Sequence, residues 1–349
     1  MMLLATSLAY TQTTIYTNSA TGNDTTGNGS SSAPYKTFHK AYTEASSGDI
    51  LSLTGTFTWT DADETGDSSI NGYTLSKDIS IIGQTATSTI IQAATTSGTT
   101  DRRVFTIGNI NLTVKNVTIR NGYLPNAAAN KGGAGIHLYR GAVDKTTLFE
   151  NCIFTENHQT SSNSSSQWYG GGAILVYNTA NSPNGTITFN NSIFEHNSSD
   201  VQGGFLWSYS NSSNPEKIIF NRCTINNNSS GNKQLVYGYY ANLEFLNSTL
   251  FNNSGRNIIS SIYDGNLSIV NSTIYSNNNS SYAISGSSKD GSYGTHNVYI
   301  RNSIIAHNNS EDLDISNLDS HDVKFNAIEV GRIDYNVMVN GVNDNLITS

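Results

Sequence analysis

Charge is scarce in this sequence: 18 Lys and Arg stand against 26 Asp and Glu in 349 residues, for a net charge of -8. No basic run offsets the acidity, which argues against a nucleic-acid partner. Cysteine occurs only twice, too few for a disulfide scaffold in a chain of this length. No stretch approaches the ~20 apolar residues that span a bilayer. Helical patterning is also nearly missing. What abounds is Asn, Ser, Thr and Gly, with Val, Ile, Leu, Phe and Tyr recurring at regular positions, a regularity that disorder does not produce.

The first nine residues, Met1 to Ala9, are a short apolar opening with small residues at Ser7 and Ala9. They read as the remnant of a secretory signal peptide, with cleavage after Ala9. Residues 10–48 then form a strand, a polar Gly-Asn-Asp loop and one helix. Within Pro34 to Ala45, apolar Phe38, Ala41, Tyr42 and Ala45 follow i, i+3, i+4, i+7 spacing, with Pro near the start and Ser32 as the cap. Gly48-Asp49 ends it. A lone helix before a strand-rich chain is expected to cover the open apolar end of a stack.

Self-similarity carries the rest. One pattern occurs seven times, at 112–122, 148–158, 187–198, 218–229, 243–254, 267–278 and 298–309. Its central residues are Asn116, Asn151, Asn191, Arg222, Asn247, Asn271 and Asn302. Two residues earlier the side chain is large and apolar (Val114, Phe149, Phe189, Phe220, Phe245, Ile269, Ile300). One residue later it is small or slender (Val117, Cys152, Ser192, Cys223, Ser248, Ser272, Ser303). Three later it is Ile, Phe or Leu again. A strand alternates inward positions with period two, so an inward set at -2, +1 and +3 marks a corner at the central residue. Asn suits such a corner because it tolerates positive φ, and stacked amides can hydrogen-bond from turn to turn as a ladder. A second Asn six residues on (Asn157, Asn197, Asn228, Asn253, Asn277, Asn308) reads as the next corner.

A further short strand precedes each copy, giving three strands per turn of about 24 residues, with like strands pairing in parallel. The expected fold is all-β: a single-stranded right-handed parallel β-helix, or solenoid, of roughly nine to ten coils with an N-terminal capping helix, its hand following the crossover rule. The coils occupy 49–310, and 311–349 form a last coil or cap. Cys152 and Cys223 take the same inward position two turns apart, ~10 Å at the usual strand spacing, beyond disulfide reach. Two buried free thiols follow.

The motifs Gly132-Gly133-Ala134, Gly171-Gly172-Ala173-Ile174 and Gly203-Gly204-Phe205-Leu206, with Phe154-Thr155-Glu156-Asn157 and Phe194-Glu195-His196-Asn197, resemble the GGAI and FxxN repeats of chlamydial polymorphic outer-membrane proteins. The opening, from Ile15-Tyr16 through Pro34-Tyr35-Lys36-Thr37 to Gly48-Asp49, resembles that of secreted bacterial right-handed β-helix proteins of the pectate-lyase-like superfamily. The resemblance covers nearly the whole chain and implies a secreted or cell-surface bacterial protein. Such proteins range from polysaccharide lyases and hydrolases to adhesins, so activity must be read from the site.

A lyase needs a strong base beside a uronate carboxylate and a cation to neutralise it. Lys131 and Arg140 are the bases available to that reading, but no carboxylate cluster recurs beside them on consecutive turns, and no paired-carboxylate hydrolase motif is present. Glu156, His196 and His307 share an outward position without a third ligand to complete a metal site. No cofactor is expected apart from calcium at Asp61, Asp63 and Asp67, whose spacing echoes a calcium loop lacking its twelfth-place Glu. The remaining lead is aromatic: Tyr139, Tyr177, Tyr209, Tyr237 and Tyr239 recur near the ends of one strand, with Trp168 and Trp207 close by. Such a row offers apolar faces with polar tips to successive sugar rings. The leading reading is a non-catalytic extracellular or cell-surface module for glycan binding or adhesion. Its partner would be an extracellular polysaccharide or a host or cell surface. The alternatives are a lyase of an acidic polysaccharide and a structural fibre segment.

Overall fold

The computed structural model describes residues 11–125, 132–140, 144–160, 170–178, 185–210, 215–262, 265–287, 296–317, 320–324, 326–329 and 346–348. Its strands assemble into two sheets of eleven strands and one of ten. The repeat at 146–159 shows why. Thr146–Glu150 alternates its side chains in and out and lies in the first sheet. Asn151 then takes φ 53° and turns the chain into Ile153–Thr155 of the second sheet. Each strand pairs in parallel with its counterpart one coil away, as Phe149 does with Val114 and Phe189. Ile136–Arg140 belongs to the third sheet. The chain is a parallel β-helix.

The interior is a single apolar cluster running from Ile15 to Ile328. Phe149, Phe189, Phe220 and Phe245 stack inside it with centroids 5.1, 5.0 and 5.0 Å apart. Cys152 and Cys223 are buried and free, and burial pushes both thiols up to about 12. A thiol held protonated and out of solvent is inert. Native protein should therefore not react with a thiol reagent at neutral pH, whereas unfolded protein should titrate two groups. Reaction of either cysteine before unfolding would contradict the inward register.

The first corner is built as the sequence suggests, since Asn116, Asn151, Asn191, Arg222, Asn247, Asn271 and Asn302 all have φ between 48° and 58°. Its amide ladder runs on the exposed surface, from Asn151 to Asn116 and from Asn302 through Asn271 to Asn247. Beside Arg222 the ladder steps back one residue, through Asn221 to Asn190. Asn191 therefore turns the chain while its neighbour bonds.

The second corner corrects the expectation. Positive φ falls five residues after the first corner, at Asn121, Glu156, His196, Asn227, Asn252, Ser276 and His307. The Asn at the sixth position points inward and forms a buried ladder. Asn157, Asn197, Asn228, Asn253, Asn277 and Asn308 donate each to the next, at 2.9–3.1 Å. Each Oδ1 also accepts from the backbone N–H of the preceding ladder residue, as Asn228 does from Asn197 at 3.0 Å. These amides satisfy backbone groups that the corner removes from sheet pairing.

The helix is shorter than its apolar spacing predicts. It spans Phe38–Glu44 and is capped by Thr37, not Ser32. Tyr35 is drawn off to bridge the first strand, its N–H donating to Tyr16 O and its carbonyl accepting from Asn18 N. Phe38, Ala41 and Tyr42 are buried, and Phe38 packs on Trp59, Tyr73 and Phe105. Lys77 Nζ donates to the carbonyls of Tyr42 and Ala45 at the helix end. Two of the three sheet edges at this end are closed: Gly29 and Tyr35 bond the outer side of Thr14–Asn18, and Asp67–Ser68 pairs antiparallel with Gly72–Tyr73 in the third sheet.

Glu64 accepts from the N–H groups of Phe38 and His39 at the helix start, at 2.8 and 3.1 Å. Burial raises its carboxyl from 4.5 to about 7. The folded pKa thus exceeds the unfolded one, so this group's contribution to stability is complete below 4.5 and is lost as pH rises through 7. Compared with Glu64→Gln, the wild-type protein should lose about 3 kcal/mol between pH 4 and 8. Parallel denaturation curves for the two proteins across that range would refute this.

Candidate functional site

In the third sheet, Ile136–Arg140, Ile174–Asn178, Leu206–Tyr209 and Val236–Tyr239 lie side by side, with Tyr139, Tyr177, Tyr209 and Tyr239 in one register row. Period-two alternation sends Ile136 and Leu138 into the core and turns His137 and Tyr139 outward. The four rings form a column. Successive centroids are 6.0, 5.5 and 5.3 Å apart, with interplanar angles of 35°, 21° and 20°. Tyr240 closes one end, meeting Tyr239 edge-on at 4.8 Å. At the other end Tyr139 is 46% exposed.

Most ring faces are therefore spent on other tyrosines. The column shows solvent mainly ring edges and hydroxyls, which differs from the open row of faces suggested by the sequence.

The adjacent outward row, His137, Leu175, Trp207 and Tyr237, brings a second correction. Trp207 and Tyr237 are only 1% and 8% exposed. With Leu175 they form a separate apolar cluster outside the coil, against which Tyr177, Tyr209 and Tyr239 pack. The glycine pairs make this cover. Gly171 and Gly203 have φ of 84° and 68°, and a Cβ on Gly203 would meet that of Trp207 at 2.6 Å. Trp207 and Tyr237 thus brace the column and do not face a ligand. His137 meets Tyr139 and Tyr177 edge-on at 6.4 and 6.5 Å.

Lys131 and Trp168 lie outside the described residues; Arg140 ends its strand in the third sheet. The acidic loop is divided among partners: Asp63 pairs with Lys36 and Asp67 with Arg102, while Asp61 is exposed. Glu156, His196 and His307 stand exposed at the second corner. Among the described residues no three His, Cys, Asp or Glu side chains gather as metal ligands would.

Arg103, passed over in the sequence, is 1% exposed. It donates to the carbonyls of Gly132 and Gly133 at 2.7 and 2.8 Å and to Thr106 Oγ1 at 3.0 Å. Its signal was the Arg102-Arg103 pair standing where later copies carry Gly-Gly.

Fold and face together define a parallel β-helix with one aromatic-lined sheet. A scan against protein-family models and a search of curated proteins each return no match. Among solved structures the chain is similar to the pectin methylesterase PemA from Erwinia chrysanthemi, at 11% identity and a TM-score of 0.45, covering 87% of this chain and 92% of that one. It is also similar to a rhamnogalacturonan lyase, at 15% identity and a TM-score of 0.45, covering 96% and 87%. A lacto-N-biosidase from Eubacterium ramulus is more distant, at 11% identity and a TM-score of 0.27, covering 90% and 68%. No helix in the described residues is long and apolar enough to cross a membrane.

Proposed function

We propose that the chain is a bacterial extracellular or cell-surface β-helix module that binds glycans without chemical turnover, using the third sheet's tyrosine face. The observation that carries this reading is the column itself: four phenols in register on the outside of a solenoid, held by Trp207 and Tyr237 behind them. A rigid phenol offers large contact area and a polar tip at little entropic cost.

A glycan array followed by calorimetry tests the proposal. The double variant Tyr139→Ala/Tyr177→Ala should weaken binding about tenfold or more, on the order of 1.4 kcal/mol, with an unchanged circular dichroism spectrum. Silence across the array would remove the reading. Unsaturated uronate absorbance from a uronan panel would replace it with the lyase alternative, in which Lys131 or Arg140 supplies the base.

A further inference from the structure

The tyrosine column ends abruptly, and the position where it ends is specific. Leu138 pairs with Ile107, and Ile107 with Leu75. These two strands end there, and extending their register by one residue sets Tyr139 beside Gly108, whose N–H donates to Leu75 O at 2.9 Å, and then Ser76. Tyr177 and Tyr209 each lie between two rings, and Tyr239 lies between Tyr209 and the edge of Tyr240. Tyr139 has a single neighbour within the column, tilted by 35°, and is the most exposed large side chain of the row.

Gly108 keeps the next place empty for a spatial reason. Unlike Gly132, Gly133, Gly171 and Gly203, it does not adopt the left-handed backbone that selects glycine. Among described atoms, a Cβ there would touch only the Leu75 carbonyl, at 3.3 Å. Beside this shelf, Ser76 is exposed.

We propose that the free face of Tyr139 above Gly108 is a subsite for one hexopyranose ring, which continues the column as its next member. The inference rests on the glycan-binding reading and deepens it, placing recognition at the column's open end and not along its edge. A pyranose has an apolar C–H face and a rim of hydroxyls. The first matches a phenol ring, and the second can stay hydrated at the exposed end of the column. Neutral hexoses and hexuronates share that ring, and the assay includes both.

The test measures binding of neutral and uronate oligosaccharides to Tyr139→Ala, Gly108→Phe, Gly108→Ala and Tyr239→Ala, each checked for an unchanged melting profile. Tyr139→Ala removes the platform and Gly108→Phe fills the shelf, so each should lower affinity at least tenfold. Tyr239→Ala, at the closed end, should change it less than twofold, and Gly108→Ala should fall between. If Gly108→Phe binds as wild type while Tyr239→Ala fails, the ligand lies along the column; the subsite is then wrong and glycan binding stands. If the wild type binds nothing, both fall.

Should the variants fail to fold, saturation-transfer NMR on wild-type protein with a bound methyl hexopyranoside decides. Transfer concentrated on the C–H protons of one ring face supports the subsite, and uniform transfer overturns it.

Discussion

Replacing Asn228 by alanine should cost about 3–5 kcal/mol of stability, whereas Asn247→Gly should cost less than about 1 kcal/mol. Both are repeat asparagines in amide ladders, so composition alone would rank them equally. Asn228 is buried, and its Oδ1 accepts from Asn197 N and Asn197 Nδ2 at 3.0 and 2.9 Å. Its Nδ2 donates to Asn253 Oδ1 at 3.1 Å and to Phe194 O at 2.8 Å. Alanine would remove all four of these bonds where water does not reach; Asn197 Nδ2 keeps Phe154 O and Glu195 O, and Asn253 Oδ1 keeps Asn228 N, but Asn197 N loses its Asn228 acceptor and the ladder is cut. Asn247 bonds only along the exposed ladder and holds φ 52°. Water can replace those bonds, and glycine suits the left-handed corner. Denaturant midpoints for the two variants measure the contrast, and equal losses would show that the inward ladder is not the stronger one.

Phe194→Ala should lose about 3–5 kcal/mol, while Ile193→Ala beside it should lose less than about 1 kcal/mol. The Phe194 ring stacks on Phe154 at 4.9 Å and meets Phe205, Phe189 and Phe220 at 4.6, 5.3 and 5.7 Å. Removing it opens a cavity that the neighbours cannot fill, because each of their backbones is held in register by the coils above and below. Ile193 points out of the same strand and is 37% exposed. Since coils contact mainly their neighbours, the loss should stay local; hydrogen exchange should show the coils holding Phe154, Phe189 and Phe220 opening first. Uniform exchange along the solenoid would mean the chain unfolds as one cooperative unit.

The coil was legible because its inward positions are apolar or small in every copy, and a one-residue slip would have exposed them all. The first corner was legible because six of its seven residues are Asn. The second was not: the residues that turn there include Glu156, His196 and Ser276, which do not advertise positive φ. The neighbouring Asn that looks like a turn residue is needed inside. The aromatic row offered Tyr139 and Trp207 alike to a ligand, yet Tyr139 is exposed and Trp207 is covered. Alternation gives the side of a sheet, not what else covers that side, and here the glycine pair brings backbone against Trp207. The helix lost its first turn to a strand bridge at Tyr35, a long-range contact that local spacing cannot show.

The closed edges at the helix end also set a direction of assembly. Three sheets of parallel strands would otherwise present open hydrogen-bonding rows at both ends of the stack, but at this one Gly29, Tyr35 and the Asp67–Ser68 pair occupy the rows of the first and third sheets. Every later coil finds its template in the coil before it. A chain emerging N-terminus first, from a ribosome or through a secretion pore, can therefore stack in the order in which it appears. At each moment the growing edge belongs to its newest coil, and the next 24 or so residues are what cover it.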